Sequence, residues 1–294
     1  MYRFAWEWGI LEGFHQISND VLTKLFLVLT QFGGEMFLIA VIGLFYFCLN
    51  KEKGEKLGFI VLFSGAFNGV LKGLVKAKRP YEYVGKEHLI KGSVGSTSAT
   101  GSSFPSGHSQ NSASLYSTLP RLEKKKWLTI ICIVLMIIVP LSRLYLGVHF
   151  PGDVVAGVIL GVLTSLLILY LYDLLALKNK SPFWMYLSAS LVLIPFLFFS
   201  PHADFFKVYG LLLGFTCGLA VEKRFVGFST AVPLWQKFLR MLLALGIVLG
   251  VKEGLKLIFP DKLIFHLIRY FLITFLVIGV YPLVLKNKFF SRGL

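Results

Sequence analysis

Apolar runs of roughly 18 residues or more recur along this chain, and each is long enough to cross a bilayer. That feature leaves few folds open. Inside hydrocarbon every backbone N–H and C=O must be satisfied internally, so the chain spans as helices. Spans are expected near 34–50, 56–76, 107–120, 127–145, 152–173, 183–200, 206–221, 238–258 and 264–285. The fold class predicted is all-α, a polytopic transmembrane helical bundle of about nine spans. A mean hydropathy of +0.73 and a charged fraction of 15% agree, since soluble domains carry more charge. No polar stretch exceeds about 30 residues, which leaves no room for a separate soluble domain.

Residues 1–33 mix Trp6, Trp8 and Phe14 with Glu7, Glu12, His15 and Asp20, and read as an interfacial segment. Residues 34–175 hold the spans that carry polar motifs, and 176–294 hold further spans without one. The N-terminus shows no basic region followed by a cleavage site, so no removable signal peptide is expected. Cys48, Cys132 and Cys217 all lie in apolar runs at no metal or disulfide spacing.

The net charge is +15. In a soluble protein that balance would suggest nucleic acid. Here the charges sit mostly in loops, where membrane orientation and anionic lipid head groups account for them, and no nucleic-acid partner is expected. Lys51, Lys53 and Lys56, then Arg121 and Lys124 to Lys126, then Lys178 and Lys180, then Lys223 and Arg224, then Lys286, Lys288 and Arg292 form five basic clusters. With nine spans all five share one face, read as cytoplasmic. The loop after the second span is also basic, with Lys76, Lys78, Arg79, Lys86 and Lys91, and these charges are read as serving a site on the other face. Small residues recur every fourth position at Gly65/Gly69/Gly73, Gly210/Gly214/Gly218 and Gly246/Gly250/Gly254, which predicts close helix packing for all three rows.

Ionisable residues at membrane depth are costly and point to function. Three stretches concentrate them. Lys72 precedes Arg79-Pro80, and the proline ends the helix and extends Arg79 so that its fork turns back. Arg suits phosphate because its planar guanidinium donates two parallel hydrogen bonds. Pro105-Ser106-Gly107-His108 opens the next helical run. A helix N-terminus offers free N–H groups to an anion, Gly107 permits close approach, and Ser106 adds a hydroxyl. Ser142-Arg143 ends a span, and His149 and Asp153 bracket a turn into the next. There Asp153 is placed to fix the tautomer of His149 and leave its other nitrogen as a nucleophile. Metal binding is the rival use of His and Asp, but three nearby cations would repel a metal ion. No metal or cofactor is expected.

These stretches resemble the three signature motifs of the type 2 phosphatidic acid phosphatase (PAP2) family, the membrane lipid phosphate phosphatases, over about residues 35–173. All fixed positions stand at the family spacing. The resemblance implies that His149 is the nucleophile and Asp153 orients it. It implies that His108 protonates the leaving group and then activates water. It assigns Lys72, Arg79, Ser106, Gly107 and Arg143 to the phosphate oxygens, with no metal.

The function expected is therefore an integral membrane phosphatase, multi-pass in the plasma membrane, with its site on the extracytoplasmic face. Its partners would be membrane lipids and a lipid phosphate or pyrophosphate substrate, of the undecaprenyl pyrophosphate, phosphatidylglycerophosphate or phosphatidic acid class. Phosphotransfer to another acceptor, a soluble sugar phosphate as substrate, and a lipid transporter or scaffold that keeps the phosphate site are the alternatives. The last is disfavoured because binding alone needs cations, not a spaced pair of histidines.

Overall fold

The computed structural model describes residues 4–92 and 101–290, so most of the Gly/Ser-rich stretch between Gly92 and Ser103 lies outside the described residues. No strand occurs among the described residues. Each of the nine apolar runs is helical. Helices α1 (Ala5–Gln16) and α2 (Asp20–Leu29) come first, and a 3-10 turn, Thr30–Gly33, follows α2. Then come α3 (Glu35–Leu44), α4 (Lys51–Val75), α5 (Gly107–Glu123), α6 (Lys126–Tyr145) and α7 (Pro151–Leu177). Helices α8 (Phe183–Val192), α9 (Phe196–Phe199), α10 (Ala203–Val221), α11 (Leu234–Ile258) and α12 (Leu263–Phe275) complete the long elements.

Among the described residues, five helical stretches are long and apolar enough to cross a membrane, those starting at Lys51, Lys126, Pro151, Ala203 and Leu263. There are six if the bent pair Asp20–Gly33 and Glu35–Leu49 is one span. The expectation of nine is not confirmed, and the shortfall has local causes. Helix α5 has 17 residues and is rich in Ser, Gln and Asn. The run at 183–200 breaks between α8 and α9 around Pro195. Helix α11 carries Lys237, Arg240, Lys252, Glu253 and Lys256.

The chain divides into two compact units, Met1–Leu38 with Val70–Ile168, and Ile39–Gly69 with Leu169–Leu294. Helices α4 and α7 each start in one unit and end in the other. All eight expected site residues fall in the first unit.

In that unit α5 is polar yet buried. Its hydroxyls turn back to its own carbonyls, Ser114 Oγ to Asn111 O at 2.9 Å and Thr118 Oγ1 to Ser114 O at 2.7 Å. Thr118 also meets Ser165 of α7 at 2.7 Å. Helix α7 can approach because Gly157 and Gly161 face α5; a Cβ on Gly161 would sit 2.9 Å from the Ala113 Cβ. Ile130, Ile133 and Ile137 of α6 and Val155, Ile159 and Leu163 of α7 are exposed, as lipid contact requires.

Residues 5–33 are mostly helical and packed. Phe14, Leu22, Phe26 and Leu27 lie against Tyr145, Leu146 and Val148. Trp8 and Tyr83 lie against Leu11, Leu89 and Phe150. Two of the loop cations read as serving the site have other partners. Lys86 pairs with Glu12 at 2.6 Å, and Lys91 donates to the Tyr145 carbonyl at 2.5 Å.

In the second unit α10 packs on α12 across Gly210, Gly214 and Gly218, and Gly69 meets the Phe205 backbone. The row Gly246, Gly250 and Gly254 has nothing within 4 Å of the added Cβ positions, so the packing expected of it is absent. Glu222 is fully buried and pairs with Lys51 at 2.5 Å, and Glu55 takes Lys223 at 2.5 Å and the Tyr186 hydroxyl at 2.6 Å.

Candidate active site

The turn from α6 into α7 carries two of the expected residues. Gly147 takes φ +70 and its N–H donates to the Leu144 carbonyl at 3.0 Å. A side chain there would fall on the Leu89 carbonyl, so only glycine fits. The chain then passes through buried His149 and enters α7 with Asp153 in the first turn. His149 thus precedes the helix, as the proline and glycine between the two residues predict.

Arg79 has an extended backbone, φ −81 and ψ 159, as its following proline requires. Its side chain is buried. Nε donates to the Gly101 carbonyl at 2.9 Å and one terminal nitrogen to the Val148 carbonyl at 3.0 Å. That same nitrogen lies 3.3 Å from His149 Nε2. A guanidinium only donates, so Nε2 carries a lone pair and the ring proton sits on Nδ1. Nδ1 faces Asp153 Oδ2 at 3.7 Å and the Ser103 hydroxyl at 3.4 Å. Burial, and after it the Arg79 charge, push the His149 imidazole down to about 3, against the opposing effect of Asp153. The ring is neutral at physiological pH.

Asp153 is fully buried, and Oδ2 accepts from Ser103 Oγ at 2.5 Å and from the Phe150 N–H at 3.0 Å. Ser106 is the N-cap of α5. Its hydroxyl accepts from Ser109 N at 3.4 Å, and its own N–H donates to the Asp153 carbonyl at 3.0 Å. Pro105 therefore stands just before the helix and not in its first turn. Gly107 opens α5 and His108 follows within the first turn. The Arg143, Lys72 and Arg79 cations and the His149 ring all bear on the His108 ring, so all three motifs converge. Lys72 lies in the last turn of α4 and is buried. Arg143 is fully buried in the last turn of α6, and one terminal nitrogen donates to Thr30 Oγ1 at 2.7 Å. Its Nε and other terminal nitrogen are buried with no hydrogen-bond partner among the described residues.

Three further residues reach this cluster that the sequence did not offer as site residues. Ser103 lies two positions before Pro105, so closeness to a motif was the available signal. Thr30 had none. Glu7, buried in α1, accepts from the Gly152 N–H at 3.0 Å and caps the helix that carries Asp153. Trp8 stands edge-on to Phe150, with ring centroids 4.8 Å apart.

Two family models match the chain. One, described as PAP2 superfamily, covers residues 54–176. The other, PAP2 superfamily phosphatase, transmembrane extension, covers residues 206–290, where the sequence shows no motif. The chain is 32% identical over 166 residues to phosphatidylglycerophosphatase B of Bacillus subtilis, covering 51% of this chain and 73% of that one. It is 32% identical over 161 residues to an undecaprenyl-diphosphatase of Sulfolobus acidocaldarius, covering 53% and 73%. A crystal structure of a transmembrane PAP2-type phosphatidylglycerolphosphate phosphatase from Bacillus subtilis is 30% identical, with a TM-score of 0.45 over 57% of this chain and 84% of that one.

Proposed function

We propose, from the premise that this chain belongs to the PAP2 superfamily, that it releases phosphate through a phosphohistidine formed on His149. The protein is a membrane phosphatase of the lipid-phosphate class.

The observation that carries it is the juxtaposition of a nucleophile and a prepared anion site. His149 Nε2 bears a lone pair, and Arg143 holds two buried N–H-bearing nitrogens without protein partners among the described residues. A buried donor left unpaired is costly, and a phosphoryl group repays that cost with charge-assisted hydrogen bonds. Nε2 attacks phosphorus, the P–N bond forms, and the bond from phosphorus to the leaving oxygen breaks. His108 gives that oxygen its proton. Asp153 stabilises the charge that develops on the His149 ring. Water then attacks the phosphohistidine, His108 takes its proton, and inorganic phosphate leaves. Lys72, Arg79, Arg143, Ser106 and Gly107 hold the non-bridging oxygens, so fixed donors meet the charge where it grows.

Named relatives act on phosphatidylglycerophosphate and on undecaprenyl diphosphate. A site among membrane helices suits such a substrate, whose tail stays in the bilayer. The Arg121 and Lys124 to Lys126 cluster lies at the far end of α5 from His108, ~25 Å along the helix. Basic loops tend to stay cytoplasmic, which supports the reading that His108 faces the extracytoplasmic side of the plasma membrane. The test is phosphate release by purified protein from phosphatidylglycerophosphate, undecaprenyl diphosphate, phosphatidic acid and glucose 6-phosphate. Release from a lipid that is lost in His149→Ala supports the reading. Release from glucose 6-phosphate alone, or from no compound, removes it.

A further inference from the structure

Among the described residues, Arg143 is held by a residue that lies outside the three motifs and ahead of the matched family region, which begins at residue 54. That residue is Thr30, 99% buried in the 3-10 turn that ends α2. The turn is held in place independently of Arg143. The Tyr116 hydroxyl of α5 donates to the Phe32 carbonyl at 2.6 Å. Gly33 lies so near α5 and α6 that a Cβ would come 3.2 Å from the His108 carbonyl and meet the Val139 side chain. Above the turn, Phe26 stacks on Tyr145 at 4.2 Å, and Thr23 Oγ1 meets the Tyr145 hydroxyl at 3.2 Å. The hydroxyl of Thr30 therefore sits on a fixed support between the helices that bear His108 and Arg143.

A guanidinium turns freely about its last bonds unless some of its five N–H groups are engaged. Thr30 Oγ1 accepts from one terminal nitrogen at 2.7 Å. Because the group is planar, fixing that nitrogen fixes the direction of the other two, which are the unpartnered ones. We propose that Thr30 is a positioning residue: by holding one nitrogen of Arg143 it aims the remaining fork at the phosphoryl oxygens. The α2 turn is then part of the phosphate site, although its residue touches no substrate. This inference rests on the phosphate role proposed for Arg143.

The test compares wild type, Thr30→Val, Thr30→Ser and Arg143→Ala as full-length protein in detergent. The readouts are the inhibition constant for orthovanadate, KM against kcat, and thermal unfolding. Valine keeps the shape and removes the acceptor; serine keeps the acceptor and removes the methyl. Thr30→Val is expected to weaken orthovanadate binding about tenfold and raise KM similarly, the effect of one hydrogen bond to a charged group. Thr30→Ser is expected within about twofold of wild type. Thr30→Val added to Arg143→Ala is expected to change nothing more, because the two act as one unit. Should the valine variant fail to fold, Thr30→Ala and Thr30→Ser make the same comparison of oxygen present or absent. Orthovanadate binding unchanged in Thr30→Val, a serine variant as impaired as the valine one, or additive losses in the double variant would each overturn the proposal. Wild-type protein that binds no orthovanadate would instead remove the phosphate reading of the site, and this inference with it.

Discussion

Ser103 donates its hydroxyl proton to Asp153 Oδ2 at 2.5 Å, and the same hydroxyl lies 3.4 Å from His149 Nδ1. The carboxylate that faces the nucleophile is thereby held from two sides, by Ser103 and by the Phe150 N–H. Ser103→Ala removes one of them and leaves a buried carboxylate short of a donor. The expected result is a fall of about tenfold in kcat with little change in KM, the scale of one charge-assisted bond. Rapid-quench measurement of phosphoenzyme formation checks it, since the loss should appear in that step.

Arg143→Lys should not restore what Arg143→Ala loses. A lysine ammonium is a point charge without the planar fork, and it cannot both reach Thr30 and present two further nitrogens. Both variants should raise KM and weaken inhibition by inorganic phosphate. Inhibition constants for phosphate in the two variants decide this directly.

His108→Ala removes both the acid of the first step and the base of the second. The expected loss is about 10²–10⁴-fold with a lipid substrate. With p-nitrophenyl phosphate, whose leaving group needs no proton, the first step should recover and the second should not. A burst of p-nitrophenol followed by slow turnover is the expected trace.

Gly161→Val tests the packing that brings α5 and α7 together. The nearest side-chain atom to the new Cβ is Ala113 Cβ at 2.9 Å, and the Gln110 backbone lies beside it. Overpacking of this kind costs about 1–3 kcal/mol. A lower unfolding temperature together with lower activity is expected, since α5 carries His108 at its first turn.

Orientation can be read at Val84, 98% exposed in the loop that follows Arg79. In a variant with the three native cysteines replaced, Val84→Cys should react with a membrane-impermeant maleimide on intact cells. Labelling only after permeabilisation would put the site on the cytoplasmic side.

The three motifs were legible because phosphoryl chemistry needs particular residue types at particular spacings. His149 and Asp153 could be paired from the proline and glycine between them. Residues that act through space were not legible in that way. Thr30 lies 113 positions from Arg143, and Glu7 lies 145 positions from Gly152. No local pattern announces such partners. Helix α5 was expected as a span, but its serines and Thr118 keep it from being apolar enough for one. Several of these hydroxyls turn back to the helix's own carbonyls, so the helix is buried although polar. Glycine rows misled likewise. Gly210/Gly214/Gly218 and Gly246/Gly250/Gly254 read alike, but only the first meets a neighbouring helix. Spacing announces that close approach is permitted, and the partner decides whether it happens.

The central claim is that His149 carries the phosphoryl group, and a radiolabelled lipid phosphate tests it most directly. Wild-type protein quenched during turnover should hold acid-labile, base-stable label and release inorganic phosphate. His149→Ala should do neither while keeping its fold. Phosphate release at the wild-type rate by His149→Ala would contradict the account.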